Sequence, residues 1–287
     1  MSRWLTNELH VSLSPSQVEV TQIKRSLGVK GIKRELIARR TVACDADTQG
    51  QGWDSAMRTL DGLLAEYSAT HPNISITLSN HFVRYTLVPW SDLVTGDEQL
   101  QAYTRHCFHS TYGAMSATWA LRLSRASVGA AQLASAIEQK LLDACHEGVK
   151  RHGLRLISVQ PYLMSAFNQF KLQLQEHNSW FALAEPGMLC LAQLHEGEWV
   201  RFRTVRQVDS WEALSRLLIR EAFMGEGDLQ IKEQLLYLYA PHLGRAHSLS
   251  GWKIIELPTP LSKGWNVEIA SNQVVAISEP LGGNTNA

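Results

Sequence analysis

The sequence lacks the signatures of the commonest metal, disulfide and membrane structures. Its four cysteines, Cys44, Cys107, Cys145 and Cys190, form no CxxC pair. This spacing argues against a zinc site or a disulfide framework and fits a reducing compartment. No apolar run approaches the roughly 18 residues of a membrane-spanning helix, and no secretion leader follows Met1. We therefore expect a cytoplasmic protein without a metal ion.

The chain also lacks an excess of charge of either sign. It has 27 basic and 27 acidic residues, so nothing in its net charge attracts nucleic acid, and no nucleic-acid partner is expected. No spacing of serine, cysteine, histidine and aspartate indicates a catalytic triad or dyad. Apolar residues, by contrast, make up 45% of the 287 positions, which suffices for one large domain or two smaller ones.

Hydrophobic periodicity predicts strands and helices along the whole chain. Strands are predicted over residues 9–13, 18–23, 31–42, 74–78, 82–88, 119–123, 154–159, 180–183, 188–194, 199–208 and 235–239. Helices are predicted over residues 53–67, 95–110, 129–150 and 161–175, and from residue 209 onward. The most regular helical pattern is that of residues 129–150, where Leu133, Ile137, Leu141 and Ala144 are spaced like one apolar helix face.

The two halves of the chain repeat one order of elements. Three strands, a helix and a further strand occur near the start and again after residue 179. Each copy opens on a turn that contains proline, Ser14-Pro15-Ser16 in the first and Glu185-Pro186-Gly187 in the second. Internal duplication explains this echo better than coincidence. We therefore expect the two turns to face each other across one cleft.

A duplicated β-β-β-α-β unit is the plan of the two-lobed, actin-like (ribonuclease H-like) α/β fold. Several strings resemble the PilM-type proteins of bacterial type IV pilus machinery and the cytoplasmic part of GspL-type secretion proteins. Where that family has a strand ending in Arg-x-x-x-Leu-x-Pro, this chain has RYTLVP at residues 84–89, with two residues instead of three between the arginine and the leucine. DEQLQAYTRHCFHSTYG at 97–113 and HGLRLISVQPYLMSAFN at 152–168 match later family elements in outline. The resemblance covers nearly the whole chain and is architectural.

The resemblance implies a division of the chain. Residues 1–80 would form the first lobe, with residues 81–160 as an inserted or second part of it. Residues 161–280 would form the second lobe, and residues 281–287 a loose tail.

The resemblance also implies where a nucleotide would bind. Each half of the fold contributes a DxG-like turn whose small residues admit phosphate and whose acids hold metal-bound water. The matching positions are Ser14, Ser16, Glu185 and Gly187, with Gly244 near the family's adenosine-binding glycine pair. The first turn lacks both acid and glycine, and each turn carries a proline, which has no N–H donor. We therefore expect no cofactor and no ATP hydrolysis, with residual ATP and Mg²⁺ binding as the most that remains.

By the same resemblance, the protein is a non-catalytic cytoplasmic scaffold of a pilus or type II secretion-like assembly. It would dock the cytoplasmic tail of an inner-membrane protein and lie peripheral to that membrane. Arg84 could accept a carboxylate of the tail, and Tyr85 and Trp90 could pack on an apolar anchor. Two alternatives stay open: an active actin-like ATPase or small-molecule kinase, and a soluble regulator unrelated to pili.

Two further features allow more than one interpretation. A basic segment opposed only by Glu35 is most simply a solvated pair of strands, although it could meet anionic lipid heads or an acidic peptide. Its members are Lys24, Arg25, Lys30, Lys33, Arg34, Arg39 and Arg40. His106 and His109 lie three apart beside Cys107 on a predicted helix. Ordinary exposed histidines are the simpler interpretation, since no carboxylate completes a metal site.

Overall fold

A computed structural model describes residues 8–28, 31–45, 52–70, 72–174, 178–225, 234–243 and 248–258. Its strands are β1 Glu8–Leu13, β2 Gln17–Gly28, β3 Gly31–Ala43, β4 Asn73–Leu78, β5 Val83–Val88, β6 Trp119–Leu123, β7 Gln132–Glu138, β8 Arg155–Pro161, β9 Ser179–Glu185, β10 Met188–His195, β11 Glu198–Arg206, β12 Gln234–Tyr239 and β13 Trp252–Glu256. Its α-helices are α1 Asp54–Ala65, α2 Asp97–Tyr112, α3 Gln139–Arg151, α4 Tyr162–Leu174 and α5 Trp211–Gly225. Short 3₁₀ helices cover Asn80–Phe82, Gly113–Thr118 and Pro241–Leu243.

The chain divides into two compact units. The first contains the described residues up to Ser79 together with Lys140–Gln160, and the second contains Asn80–Gln139 and the described residues from Pro161 onward. The lobe boundaries at residues 80, 160 and 280 stay a prediction, and the tail at residues 281–287 lies outside the described residues. None of the described helices is long and apolar enough to cross a membrane.

The first unit is built on a five-stranded sheet of order β3-β2-β1-β4-β8. β1 runs antiparallel to β2 and parallel to β4. Alternate residues of β1 point inward, and each lies beside an inward residue of β4. This follows from the alternation of apolar residues in both segments, because successive side chains of a strand point to opposite faces. The core residues of these strands are Leu9, Val11, Leu13, Ile74, Ile76 and Leu78, all at most 1% exposed.

The second unit repeats this architecture in the sheet β11-β10-β9-β12-β13. β9 runs antiparallel to β10 and parallel to β12, as β1 does with β2 and β4. The outer pairs β2–β3 and β10–β11 are also both antiparallel. The predicted repeat of three strands, a helix and a strand is thereby confirmed. β13 was not predicted, since its WKIIE sequence alternates too briefly to indicate a strand.

The helix predicted over residues 129–150 is wrong in its first half. Residues Gln132–Glu138 form β7, and only Gln139–Arg151 is helical. Leu133 and Ile137 are four residues apart, a spacing that shares one face in a helix and also in a strand. The pattern could therefore not distinguish the two. Five consecutive residues of β7 are buried, because it lies between β5 and β6 in a three-stranded sheet.

That three-stranded sheet carries its own core against α2. The buried residues are Val88, Phe108, Trp119, Ala134 and Ala136. Alanines in the central strand leave room for the aromatic rings of the helix and of β6. The Phe108 ring lies 5.9 Å from that of Tyr112 and 6.3 Å from that of Trp119.

Candidate functional site

The Glu185-Pro186-Gly187 turn joins β9 to β10 as a two-residue hairpin. Glu185 is paired with Met188 across the ladder, so only Pro186 and Gly187 lie in the turn. Gly187 has a φ of +75°, in the left-handed region that other residues rarely adopt. Proline followed by such a glycine is typical of a tight turn. The turn geometry alone therefore requires this glycine.

The Glu185 carboxylate is held by Asn80 of the same unit. Its Oε2 atom accepts hydrogen bonds from the Asn80 backbone N–H at 2.9 Å and from Asn80 Nδ2 at 2.7 Å. Asn80 is 1% exposed. Its Oδ1 atom accepts from the Tyr85 hydroxyl at 2.6 Å and from the Leu163 N–H at 3.1 Å. One asparagine thus joins the end of β9, the start of β5 and the start of α4.

The remaining polar groups of the turn are also engaged within the chain. The Gly187 N–H donates to Asp209 Oδ1 at 2.6 Å. His81 Nε2 lies 2.9 Å from the Pro186 carbonyl oxygen, which can only accept, so this nitrogen carries the hydrogen. An N–H group that could hold a phosphate oxygen therefore holds a carboxylate of its own chain.

His242 does not offset the negative charge at this turn. Partial burial lowers the pKa of His242 below its usual value, against the raising effect of Asp209 and Glu185. An imidazole with a lowered pKa is neutral at pH 7. The two carboxylates therefore keep the turn unfavourable for an anion.

The first predicted turn, Ser14-Pro15-Ser16, is also closed by local bonds. The Ser14 hydroxyl donates to the Gln17 carbonyl at 2.8 Å and accepts from the Gln17 N–H at 3.2 Å. The Ser16 carbonyl accepts from the Cys44 N–H at 2.8 Å. Four residues separate the paired strand ends here, against two in the second turn, so the two turns match in place and differ in geometry.

Of the five predicted nucleotide-site residues, the structure brings Glu185 and Gly187 together in one turn, and Gly244 lies outside the described residues. That this turn faces Ser14 and Ser16 across a cleft stays a prediction. Asn80 and Asp209 were missed as site residues. The sequence indicated only that a helix begins at Asp209, and nothing in the sequence around Asn80 indicates a partner 105 residues away.

Tyr85, one of the three predicted partner-binding residues, lies in the core. It is 5% exposed, and its ring meets Phe202 edge-on at 5.2 Å. Burial raises the pKa of Tyr85 well above its usual value, and Cys190 and Glu185 add to the effect. A side chain this deeply buried offers no surface to a partner in this structure.

The other two predicted partner-binding residues keep accessible surface. Arg84 is half-buried, and its Nη1 atom donates to the carbonyl oxygens of His81 and Val83 at 3.0 and 3.1 Å. Trp90 is 46% exposed, and its Nε1 atom donates to Asp92 Oδ1 at 3.0 Å. Arg84 and Trp90 remain predictions for the docking site.

The basic segment is partly neutralised. Ion pairs join Arg25 to Glu8 at 2.8 Å and Arg39 to Glu19 at 2.7 Å, and a hydrogen bond of 2.7 Å joins Arg40 to Glu66. Lys30 lies outside the described residues. As for metals, the part of the chain that the structure describes contains no group of three or more His, Cys, Asp and Glu suited to an ion.

Comparison with known proteins identifies the fold. No protein-family model and no curated protein matches the sequence. Among solved structures, the cytoplasmic domain of EpsL, an inner-membrane component of the type II secretion system of Vibrio cholerae, superposes with a TM-score of 0.55 at 15% identity, covering 89% of this chain and 92% of that one. A chain of the PilM–PilN type IV pilus biogenesis complex gives 0.55 at 14% identity, covering 80% of each chain. A Bacteroides thetaiotaomicron protein with an actin-like ATPase fold gives 0.55 at 11% identity, covering 83% of this chain and 85% of that one. The chain therefore has the predicted actin-like fold, which the EpsL domain and the PilM–PilN chain also have.

Proposed function

We propose that the protein is a non-catalytic cytoplasmic scaffold of a type IV pilus or type II secretion assembly. Its fold is that of EpsL, a secretion-system component, and of a chain in the PilM–PilN pilus complex, which supports this setting. The scaffold would dock the cytoplasmic tail of an inner-membrane protein. The absence of catalysis in this proposal is supported by the turn at Glu185, whose polar groups are already bonded within the chain. Its carboxylate is bonded to Asn80 and its Gly187 N–H to Asp209.

The electrostatics of that turn favour a scaffold over an ATPase. Two unit charges 4 Å apart near a protein surface interact by about 4 kcal/mol. A phosphate beside Glu185 and Asp209 would meet repulsion of this order from each carboxylate. In the ATPase alternative, the carboxylates of Glu185 and Asp209 would instead hold water molecules bound to a metal ion. Each carboxylate would first have to leave its present hydrogen-bond partner.

Purified protein is therefore expected to show no Mg²⁺-dependent ATP turnover above the buffer rate, measured as phosphate release. Glu185→Gln should leave this result unchanged. The glutamine oxygen can still accept both bonds from Asn80, so the variant removes the charge without removing the contact. Metal-dependent hydrolysis that Glu185→Gln abolishes would contradict the proposal and favour the ATPase. Weak ATP binding without turnover is compatible with a scaffold.

Deletion of the gene in its host tests the assembly role. We expect loss of pilus assembly or of type II secretion, restored equally by the wild-type gene and by the Glu185→Gln gene. Normal pili and normal secretion in the deletion strain would contradict the proposed setting. Restoration by the wild-type gene alone would show that the Glu185 charge is needed.

Charge reversal at Arg84 tests the docking site. Arg84→Glu should weaken binding of the membrane partner about tenfold or more, because one half of a charge pair becomes repulsive. The melting temperature should fall by only a few degrees, since Arg84 is half-buried and both of its hydrogen bonds go to carbonyl oxygens within three residues of it in the chain. Binding is measured by calorimetry with the cytoplasmic segment of the inner-membrane protein encoded beside this gene.

Arg84→Gln is the neutral control, because it removes the positive charge without introducing a negative one and keeps an N–H donor on a shorter side chain. It should weaken binding less than Arg84→Glu. Unchanged affinity in Arg84→Glu would place the docking site elsewhere, and an unfolded variant would make Arg84 a structural residue.

A further inference from the structure

Glu221 of α5 places a carboxylate in the interior of the second unit. It is 2% exposed and shares a side of the helix with the core residues Leu214 and Leu218. A carboxylate in such a place is costly unless partners satisfy it. Arg203 Nη1 of β11 donates to Glu221 Oε1 at 3.0 Å, and Arg220 Nη2 donates to the same oxygen at 3.4 Å. We call Arg203, Glu221 and Arg220 the arginine triad.

Both arginines of the triad keep much of their surface in contact with solvent. The side chain of Arg203 is 47% exposed and that of Arg220 is 58% exposed, against 3% for Glu221. A guanidinium group has five N–H donors, and the contact with Glu221 uses one nitrogen of each arginine. A structural ion pair would explain the buried carboxylate with one arginine. The second arginine leaves the triad with a net positive charge on its solvent side.

Two further arginines lie beside the triad. Arg216 is exposed and comes four residues before the helical arginine of the triad, so the two share one flank of α5. Arg201 is exposed and comes two residues before the strand arginine, so the two share one face of β11. One helical turn before Arg216 lies Glu212, the second acid on this flank in the described part of the chain. Four arginines thus lie near two carboxylates, and an external anion would stabilise them.

The position of β11 offers a simpler explanation for part of this cluster. β11 is an edge strand of its sheet, and charged side chains on an edge strand prevent pairing with a second sheet. This explanation covers the arginines of β11. It covers neither the arginines of α5 nor the buried carboxylate that joins a strand arginine to a helix arginine.

We propose that the arginine triad and Arg216 bind a phosphate group, carried by a soluble molecule or by a lipid headgroup. Guanidinium groups match the spacing of phosphate oxygens, and one phosphate offers enough oxygens and charge to bridge two of them. A carboxylate offers one charge, and the triad already contains one. Glu221 is the positioning residue, because it holds both guanidinium groups from the buried side. The inference uses neither the Glu185 turn nor Arg84, so it is independent of the proposed function.

Calorimetric titration of the full chain with pyrophosphate tests the site. Glu221→Gln keeps an acceptor oxygen for the two arginines and removes the repulsive charge, so it should raise the affinity about fivefold. The triple variant Arg203→Gln/Arg220→Gln/Glu221→Gln differs from it only in the two arginines, and it leaves no buried carboxylate without a partner. Its affinity should be at least about tenfold below that of the wild type.

The matched control is Arg122→Gln/Arg125→Gln, which removes two exposed arginines at the three-stranded sheet. It should bind pyrophosphate like the wild type. Flotation on phosphatidylcholine vesicles in which about one lipid in five is phosphatidic acid identifies the source of the phosphate. Binding to pyrophosphate alone assigns the site to a soluble molecule. Binding to the vesicles alone, lost in the triple variant, assigns it to a headgroup.

Four results would overturn the proposal. The first is wild-type protein that binds neither pyrophosphate nor the vesicles, even if it binds a poly-glutamate peptide. The second is a triple variant that binds like the wild type, and the third is an equal loss in the control, since net charge alone would then explain binding. The fourth is a loss in Glu221→Gln as large as that in the triple variant, because the triad would then act through folding.

Discussion

Asn80→Ala should lower the free energy of unfolding by about 3 kcal/mol or more. Asn80 is 1% exposed and joins β9, β5 and α4 through four hydrogen bonds. The substitution leaves the Tyr85 hydroxyl and the Leu163 N–H without their acceptor, and takes one donor from Glu185. Each buried polar group left unpaired costs about 1–3 kcal/mol. Urea unfolding followed by tryptophan fluorescence measures the loss.

Asn80→Asp should be at least as damaging near pH 7, and its deficit should depend on pH. The new carboxylate takes the place of the Nδ2 donor that lies 2.7 Å from Glu185 Oε2, so two like charges meet in a buried site. Burial and the neighbouring charge would raise the folded-state pKa of the introduced carboxyl group above its unfolded value. The folded state then holds a proton that the unfolded state has lost, so stability relative to the wild type falls as pH rises and recovers as pH falls.

A double variant separates this hydrogen-bond network from simple loss of packing. In Asn80→Asp/Glu185→Gln the amide and carboxylate exchange places, and the glutamine NH₂ can donate to the aspartate. The double variant should be more stable than Asn80→Asp alone. Its free energy of unfolding should also exceed the value obtained by adding the effects of the two single substitutions. A double variant no better than the single one would show that Asn80 and Glu185 contribute independently.

The repeated sheets could be predicted because their information is local. β1 alternates polar and apolar residues, and β9 is a continuous apolar run bounded by a Pro-Gly turn, so each segment specifies its own burial. The segment from Gln132 to Glu138 could not be assigned from its own sequence. The spacing of its apolar residues fits a helix and a strand equally well. It forms a strand because it pairs with β5 on one side and β6 on the other.

The site was predicted less completely, because its key contacts join distant segments. Glu185 and Gly187 were predicted from the sequence of their turn. The hydrogen bonds that engage the Glu185 carboxylate come from Asn80, and no sequence motif marks Asn80. The role of Tyr85 could have been predicted. In the sequence VRYTLV, Val83, Tyr85 and Leu87 alternate with the polar residues Arg84 and Thr86, and this period-2 pattern indicates core rather than surface for Tyr85.

Phe108→Ala should cost about 3–5 kcal/mol, the range for removing a fully buried aromatic ring. Only Thr104 and Phe108 are buried in α2, and Phe108 is 0% exposed. Its ring packs near Tyr112 and Trp119, so its loss opens a cavity between α2 and the three-stranded sheet. No second buried aromatic of α2 compensates for it. The helix should therefore lose much of its attachment to β6 and β7.

Hydrogen exchange locates that loss. Amide protection in α2 should fall more in Phe108→Ala than protection in β9 and β10, whose core is formed by other residues. Phe108→Leu is the matched control, because it keeps most of the apolar volume and should cost less than about 1.5 kcal/mol. Equal loss of protection in α2 and in β9 would show that the three-stranded sheet and the five-stranded sheet of the second unit unfold together. Stability of Phe108→Ala equal to that of the wild type would contradict the packing of α2 through this one ring.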